Sequence, residues 1–147
     1  EELENSIEIF SSDIVQRFTD NLTKDLLQKH KEDTKILTSG SLSFLVNKIA
    51  LKLGIEISFG TDPEYLDGFF TGKVKGYPNF SEEKVRRIKF WMDSEQFDEI
   101  FSYSDSIHDL PLLEFSDFPI AISPDSKLRV IAEERNWPIY DRRDFYS

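Results

Sequence analysis

Apolar residues near the start of the chain recur at Leu3, Ile7, Phe10, Ile14 and Phe18, at intervals of four, three, four and four. That spacing predicts a helix with one apolar stripe and Glu, Ser, Asp and Arg on its other side. A second short helix is predicted over residues 23–30, with Leu26 and Leu27 inward. Lys35-Ile36-Leu37-Thr38 then reads as a buried strand stopped by Ser39-Gly40-Ser41. Ser41 or Ser43 is placed to cap the next helix, and Gly54 stands where a helix end wants a residue free to take positive φ. Residues 55–59 alternate in strand fashion, and Asp67-Gly68 between Tyr65-Leu66 and Phe69-Phe70 is a strong hairpin signal.

Beyond the hairpin, Ser81 has the character of an N-cap, with Glu82 and Glu83 favoured in the first helical turn. Val85, Ile88 and Met92 carry that helix inward. Residues 100–104 read as a strand followed at once by Asp105 and a Leu-rich helix, and residues 119–122 as another strand. Asp125 or Ser126 opens the last helix, and residues 137–140 form an edge strand. Strands alternating with helices across short loops predict an α/β fold, a three-layer Rossmann-like core with a mainly parallel sheet and a β-hairpin insertion. In such sheets the working residues gather beyond the C-terminal strand ends, so Ser39 and Asp105 are expected to face one crevice.

The 147 residues are enough for one domain with a real core. A formal charge of −10 argues against a nucleic-acid partner, and no apolar run is long enough for a membrane span. An acidic protein acting on an anionic substrate needs a local cation, either a metal or a placed Lys or Arg. With no Cys, disulfides, thiolate catalysis and Cys-based zinc sites are excluded. Glu1 opens an acidic amphipathic stretch and not a secretory signal, so the expected location is cytoplasmic. Because the first residue is Glu and not Met, upstream residues are expected.

Three groups carry candidate chemistry. Asp105 and Asp109 lie four apart at a strand end, where oxygen ligands suit Mg²⁺. Ser39-Gly40-Ser41 offers a hydroxyl and open backbone N–H groups at a strand-to-helix turn, a small cradle for phosphoryl oxygens. Lys84 stands in the first turn of a helix, where a cation is mildly disfavoured. Each has an ordinary explanation when taken singly: Asp105 as a helix cap, the Ser/Gly string as a turn, Lys84 as a solvated lysine beside Arg86 and Arg87. His30 and His108 carry less, since a lone histidine is usually a surface or capping residue.

Order and spacing decide between these readings. Ile36-Leu37-Thr38-Ser39-Gly40-Ser41, then Asp67-Gly68-Phe69-Phe70-Thr71-Gly72, then Lys84, then Tyr103-Ser104-Asp105-Ser106-Ile107-His108-Asp109 with the Leu-rich helix after it, resemble the haloacid dehalogenase phosphatases, in their phosphoserine-phosphatase-like branch. The resemblance runs from Lys35 to Tyr140. It implies that Ser39 and the Gly40 backbone bind the transferring phosphoryl group and that Lys84 neutralises phosphate and nucleophile. It further implies that Asp105 ligates Mg²⁺, while Asp109 orders the ion's water shell or holds Lys84. Ser104 stands where the family often has Gly, and His108 where Asn is usual.

The family's first motif, a strand followed by Asp-x-Asp, supplies the attacking carboxylate and the general acid–base. No Asp-x-Asp occurs in these residues. The expectation is therefore a chain lacking its central first strand and most of a helical cap, with residues 1–22 the end of that cap and residues 23–147 the core. The missing segment would come from the same or another chain, and the 147 residues alone would be inactive. The resemblance implies a magnesium-dependent phosphomonoester hydrolase acting through an aspartyl-phosphate on a small phosphorylated metabolite, phosphoserine-like. The alternatives are a non-catalytic phosphatase-like binding domain, or a related phosphotransferase or acyltransferase.

Overall fold

The computed structural model describes residues 2–93 and 95–146, and the chain divides into two compact units, Glu1–Asn79 and Phe80–Ser147. The first unit opens with α1 (Glu2–Phe18) and α2 (Asn21–Lys29), followed by β1 (Ile36–Leu42), α3 (Ser43–Lys52) and β2 (Ile57–Thr61). The hairpin β3 (Pro63–Leu66) and β4 (Phe69–Val74) completes it. β1 and β2 pair in parallel, Ile36 opposite Ile57 and Thr38 opposite Phe59, with α3 packed on both. Val46 and Ala50 of α3, with Ile55 and Leu22, are buried there. Gly54 takes φ 70° just past α3, as its sequence position predicts.

Several local readings need correction. α2 starts two residues before the predicted position because Asp20 caps it, its Oδ1 accepting from Thr23 N at 2.8 Å. β1 does not stop at Thr38; it runs on to Leu42, with an irregularity in pairing between Thr38 and Leu42. α3 therefore begins directly after the strand, and the cap position falls to Leu42, which has no polar side chain; neither Ser41 nor Ser43 caps it. α1 forms as predicted, but its stripe is only partly covered. α3 packs on it, Ser11 is wholly buried, and Glu8 pairs with Lys48 and Lys52 of α3. Leu3, Phe10 and Phe18 are exposed.

The second unit holds α4 (Glu82–Met92) and a parallel sheet of β5 (Phe101–Ser104), β6 (Phe118–Ile122) and β7 (Ile139–Tyr140), in the order β5-β6-β7. Between β5 and β6 lie a one-turn 3₁₀ helix (Ile107–Asp109) and α5 (Leu110–Phe115); α6 (Ser126–Glu134) joins β6 to β7. Leu113, Ala121, Leu128 and Ala132 are fully buried, with Ile107, Trp137 and Ile139 packed round them. Burying one such leucine is worth about 2–3 kcal/mol, so this cluster anchors the loop that follows β5. Asp125 caps α6 through Lys127 N and Leu128 N, as predicted.

Ser81 occupies the cap position of α4 but does not cap it. The chain enters α4 by a tight turn, with Glu83 N donating to Phe80 O at 3.1 Å, which puts Ser81 at φ 50° and not in the extended backbone a cap needs. A non-glycine residue held there is strained.

Candidate active site

β5 ends at Ser104, and the loop beyond it is braced at every step. Ser104 Oγ accepts from Ser106 N at 3.2 Å, Ser106 Oγ accepts from His108 N at 3.2 Å, and Asp125 Oδ2 accepts from Ile107 N at 2.7 Å. The N–H groups of Leu128, Ile107 and Lys127 hold the Asp125 carboxyl below the usual aspartate range. Asp109 is gripped from two sides. Its Oδ2 accepts from Ser104 Oγ at 2.7 Å and its Oδ1 from Lys84 Nζ at 2.6 Å.

Lys84 is buried, with only 9% of its side chain exposed, and Asp109 is nearly so at 15%. The reading of Lys84 as a solvated surface lysine is therefore wrong: the side chain turns inward on the same face of α4 as Ile88. The Phe80 ring lies 4.8 Å from the His108 ring, a second tie between the start of α4 and this loop. His30, in the other unit, pairs with Asp33 at 2.6 Å.

Asp105 is different. It is exposed, and among the described residues no hydrogen bond to its carboxylate is present; only its carbonyl is engaged, by Asp125 N at 2.8 Å. Capping does not explain it, since Ser106 and Asp125 do that work here. Among the described residues no group of three or more His, Asp or Glu gathers where a cation could sit. Mg²⁺ needs no such cluster, since it takes one or two carboxylates and fills its remaining positions with water and phosphate oxygens. An unengaged carboxylate at a strand end fits that demand, whereas Asp109 has both oxygens committed to protein donors.

In the first unit, Ser39 and Gly40 lie in the irregular part of β1. Ser39 Oγ accepts from Ser41 N at 3.2 Å, and Gly40 O accepts from Thr61 Oγ1 at 2.8 Å. Behind them sits Asn79, fully buried, whose Nδ2 lies within 3.0 Å of Thr38 Oγ1, Ser39 O and Phe59 O. Gly60 is a close-approach glycine: a Cβ there would stand 2.6 Å from Ser43 Cα and 2.9 Å from Ser41 O. Sequence reasoning passed over Asn79, Thr61 and Gly60. Asn79 follows a proline in what reads as an ordinary turn, and nothing in its local pattern marks burial.

The model of the haloacid dehalogenase-like hydrolase family matches residues 2–114. The chain belongs to that family. Its parallel α/β units are those of the superfamily's Rossmann-like fold. Among haloacid dehalogenase-like relatives, it is 32% identical to a histidinol-phosphatase of Neisseria meningitidis over 122 residues, 78% of this chain and 55% of the relative. It is likewise 32% identical to a phosphoserine phosphatase of Mycobacterium tuberculosis over 140 residues, 92% of this chain and 45% of the relative. A crystal structure of a protein of unknown function from Bordetella pertussis superposes with a TM-score of 0.81 at 32% identity, covering 93% of this chain and 66% of that one. The chain thus spans about half the length of the curated relatives it matches.

Proposed function

We propose that the full-length protein containing this chain hydrolyses phosphate monoesters of small metabolites with the help of Mg²⁺. The observation that carries this reading is the buried Lys84, held at 2.6 Å by Asp109 in the unit that ends β5 with the exposed, unengaged Asp105. A buried ammonium fixed by a carboxylate, in the same unit as an unengaged acid at a strand end, suits a site that must neutralise phosphoryl oxygens, because phosphoryl transfer depends on positioning and charge stabilisation. Lys84 screens charge, Asp109, itself anchored by Ser104, holds it in place, and Ser39 with the Gly40 backbone receives the phosphoryl oxygens. Asp105 is the carboxylate this chain offers to Mg²⁺, which when bound neutralises charge on the substrate phosphate.

The 147 residues contain no Asp-x-Asp, so the nucleophile of this reading comes from a segment outside them. That aspartate attacks phosphorus, the ester P–O bond breaks, and the alcohol leaves with a proton from the second acid of the motif. Water then hydrolyses the acyl phosphate to inorganic phosphate and the free carboxylate. In the same reading α1 is the last helix of a cap, and its exposed Leu3, Phe10 and Phe18 lie against the rest of that cap. The relatives' names point to amino-acid-like phosphate esters, of which phosphoserine is the first to assay.

The test is hydrolysis of p-nitrophenyl phosphate and phosphoserine by the full-length protein, with Mg²⁺ and with EDTA. Asp105→Asn should nearly abolish the Mg²⁺-dependent rate without changing thermal stability, since among the described residues no hydrogen bond is made to that carboxylate. Residues 1–147 alone should show no turnover. Full activity in the Asn variant would remove Asp105 from the metal site, and turnover by the 147 residues would refute the external nucleophile.

A further inference from the structure

We propose that Asn79 and Thr61 are positioning residues for the phosphoryl-binding turn, acting through Ser39 and Gly40; this rests on the reading of that turn given above. The reason lies in the strand. β1 and β2 pair regularly only from Ile36 to Thr38, and the register shifts before Leu42 meets Thr61. The regular register is therefore broken across residues 39–41, where a fixed backbone is most needed.

Asn79 and Thr61 take over. The Asn79 amide, with no exposed surface, donates to Ser39 O at 2.9 Å and to Phe59 O at 2.9 Å, bridging the two strands across the irregularity. Both partners are carbonyls, which only accept, so the nitrogen and not the oxygen of the amide must face them. Asn79 N donates to Thr61 Oγ1 at 3.0 Å, and that hydroxyl passes its own proton to Gly40 O at 2.8 Å. Thr61 is 4% exposed. Consecutive carbonyls, those of Ser39 and Gly40, are thus tied from one buried network, which fixes the backbone that carries the Ser39 hydroxyl and the neighbouring N–H groups. Asn79 Oδ1 has no partner among the described residues. The side chain therefore acts on β1 and β2 through its donors.

The experiment is a kinetic cycle on the full-length protein with p-nitrophenyl phosphate and Mg²⁺, with inorganic phosphate as competitive inhibitor. Misplacing a binding group from behind can cost up to about 100-fold, so Asn79→Ala and Asn79→Asp should lower kcat/KM by about 10- to 100-fold and weaken phosphate inhibition in parallel. In a Ser39→Ala background the same changes should have a smaller effect, since the hydroxyl they position is gone while the Gly40 backbone they also position remains. Thr61→Val should follow Asn79→Ala, and Thr61→Ser, which keeps the hydroxyl, should restore activity to within about threefold of wild type. If the Asn79 variants do not fold, the Thr61 pair decides. Equal losses in both Ser39 backgrounds, or a Thr61→Val enzyme as active as Thr61→Ser, would overturn the proposal. Wild-type protein that hydrolyses no phosphate ester would instead overturn the phosphatase reading, and the positioning role with it.

Discussion

Replacing Lys84 with Met removes the ammonium but keeps most of the stem. At 2.6 Å and an effective dielectric near 20, the attraction to Asp109 is about 6 kcal/mol before desolvation is subtracted. Breaking one side of a buried pair leaves a charge without its partner, typically a loss of about 3–5 kcal/mol; the Ser104 bond and the 15% exposure of Asp109 favour the lower end, about 3 kcal/mol. With a urea slope of about 2–3 kcal/mol per M, the unfolding midpoint should fall by about 1–1.5 M. In Asp109→Asn the charge is gone while Ser104 can still be bonded, so Lys84→Met should then lose only about 1 kcal/mol, a coupling of about 2 kcal/mol. The assay is urea unfolding of the four full-length proteins, followed by tryptophan fluorescence. Losses that simply add in the double variant would show that the two side chains do not depend on each other, and the pairing that fixes Lys84 would be refuted.

Glu83 is held to a pKa of about 2 by Arg86 first and Arg87 second, against an ordinary 4.5. A depressed carboxyl contributes stability that is complete above about pH 4.5 and is lost as the pH falls towards 2; Glu83→Gln should flatten that acid limb in a thermal-melt series. Asp125 follows the same sign, and Asp125→Ala should lose about 1–2 kcal/mol by removing the α6 cap together with the Ile107 tie, read by denaturant unfolding. Gly60→Ala should be destabilising by about 1–3 kcal/mol in the same assay, because its neighbours at 2.6–2.9 Å are backbone atoms that cannot swing aside.

Elements with strong local chemistry were legible from sequence. Asp67-Gly68 forms the predicted turn with φ 50° and 84°, both central residues in the left-handed region that such a turn requires. The same holds for Gly54 after α3 and Asp125 at α6. What failed were the caps at Ser81 and at Ser41 or Ser43, because the tight turn from Phe80 to Glu83 puts Ser81 at φ 50° and β1 runs on to Leu42, leaving no extended cap position for either serine. The site was legible as a set of residues, and the resemblance assigned Asp105 to the ion and Asp109 to its water shell or to Lys84. The folded chain has Asp109 Oδ1 on Lys84 and Oδ2 on Ser104, while no hydrogen bond to the Asp105 carboxylate is present among the described residues. Ser104 looked like a departure from the family pattern, yet its hydroxyl supplies the second anchor of Asp109.

The hairpin has a consequence for how the molecule breathes. β4 is exposed along its whole length, and Tyr65, Leu66, Phe69 and Phe70 present their rings and branches to solvent. A two-stranded ribbon is at best marginally stable by itself. Its backbone amides should therefore trade their hydrogens for deuterium through a private opening, long before those of α3 or β6 do so. A protease offered the native protein should cut first near Asp67-Gly68, leaving the rest of the molecule intact.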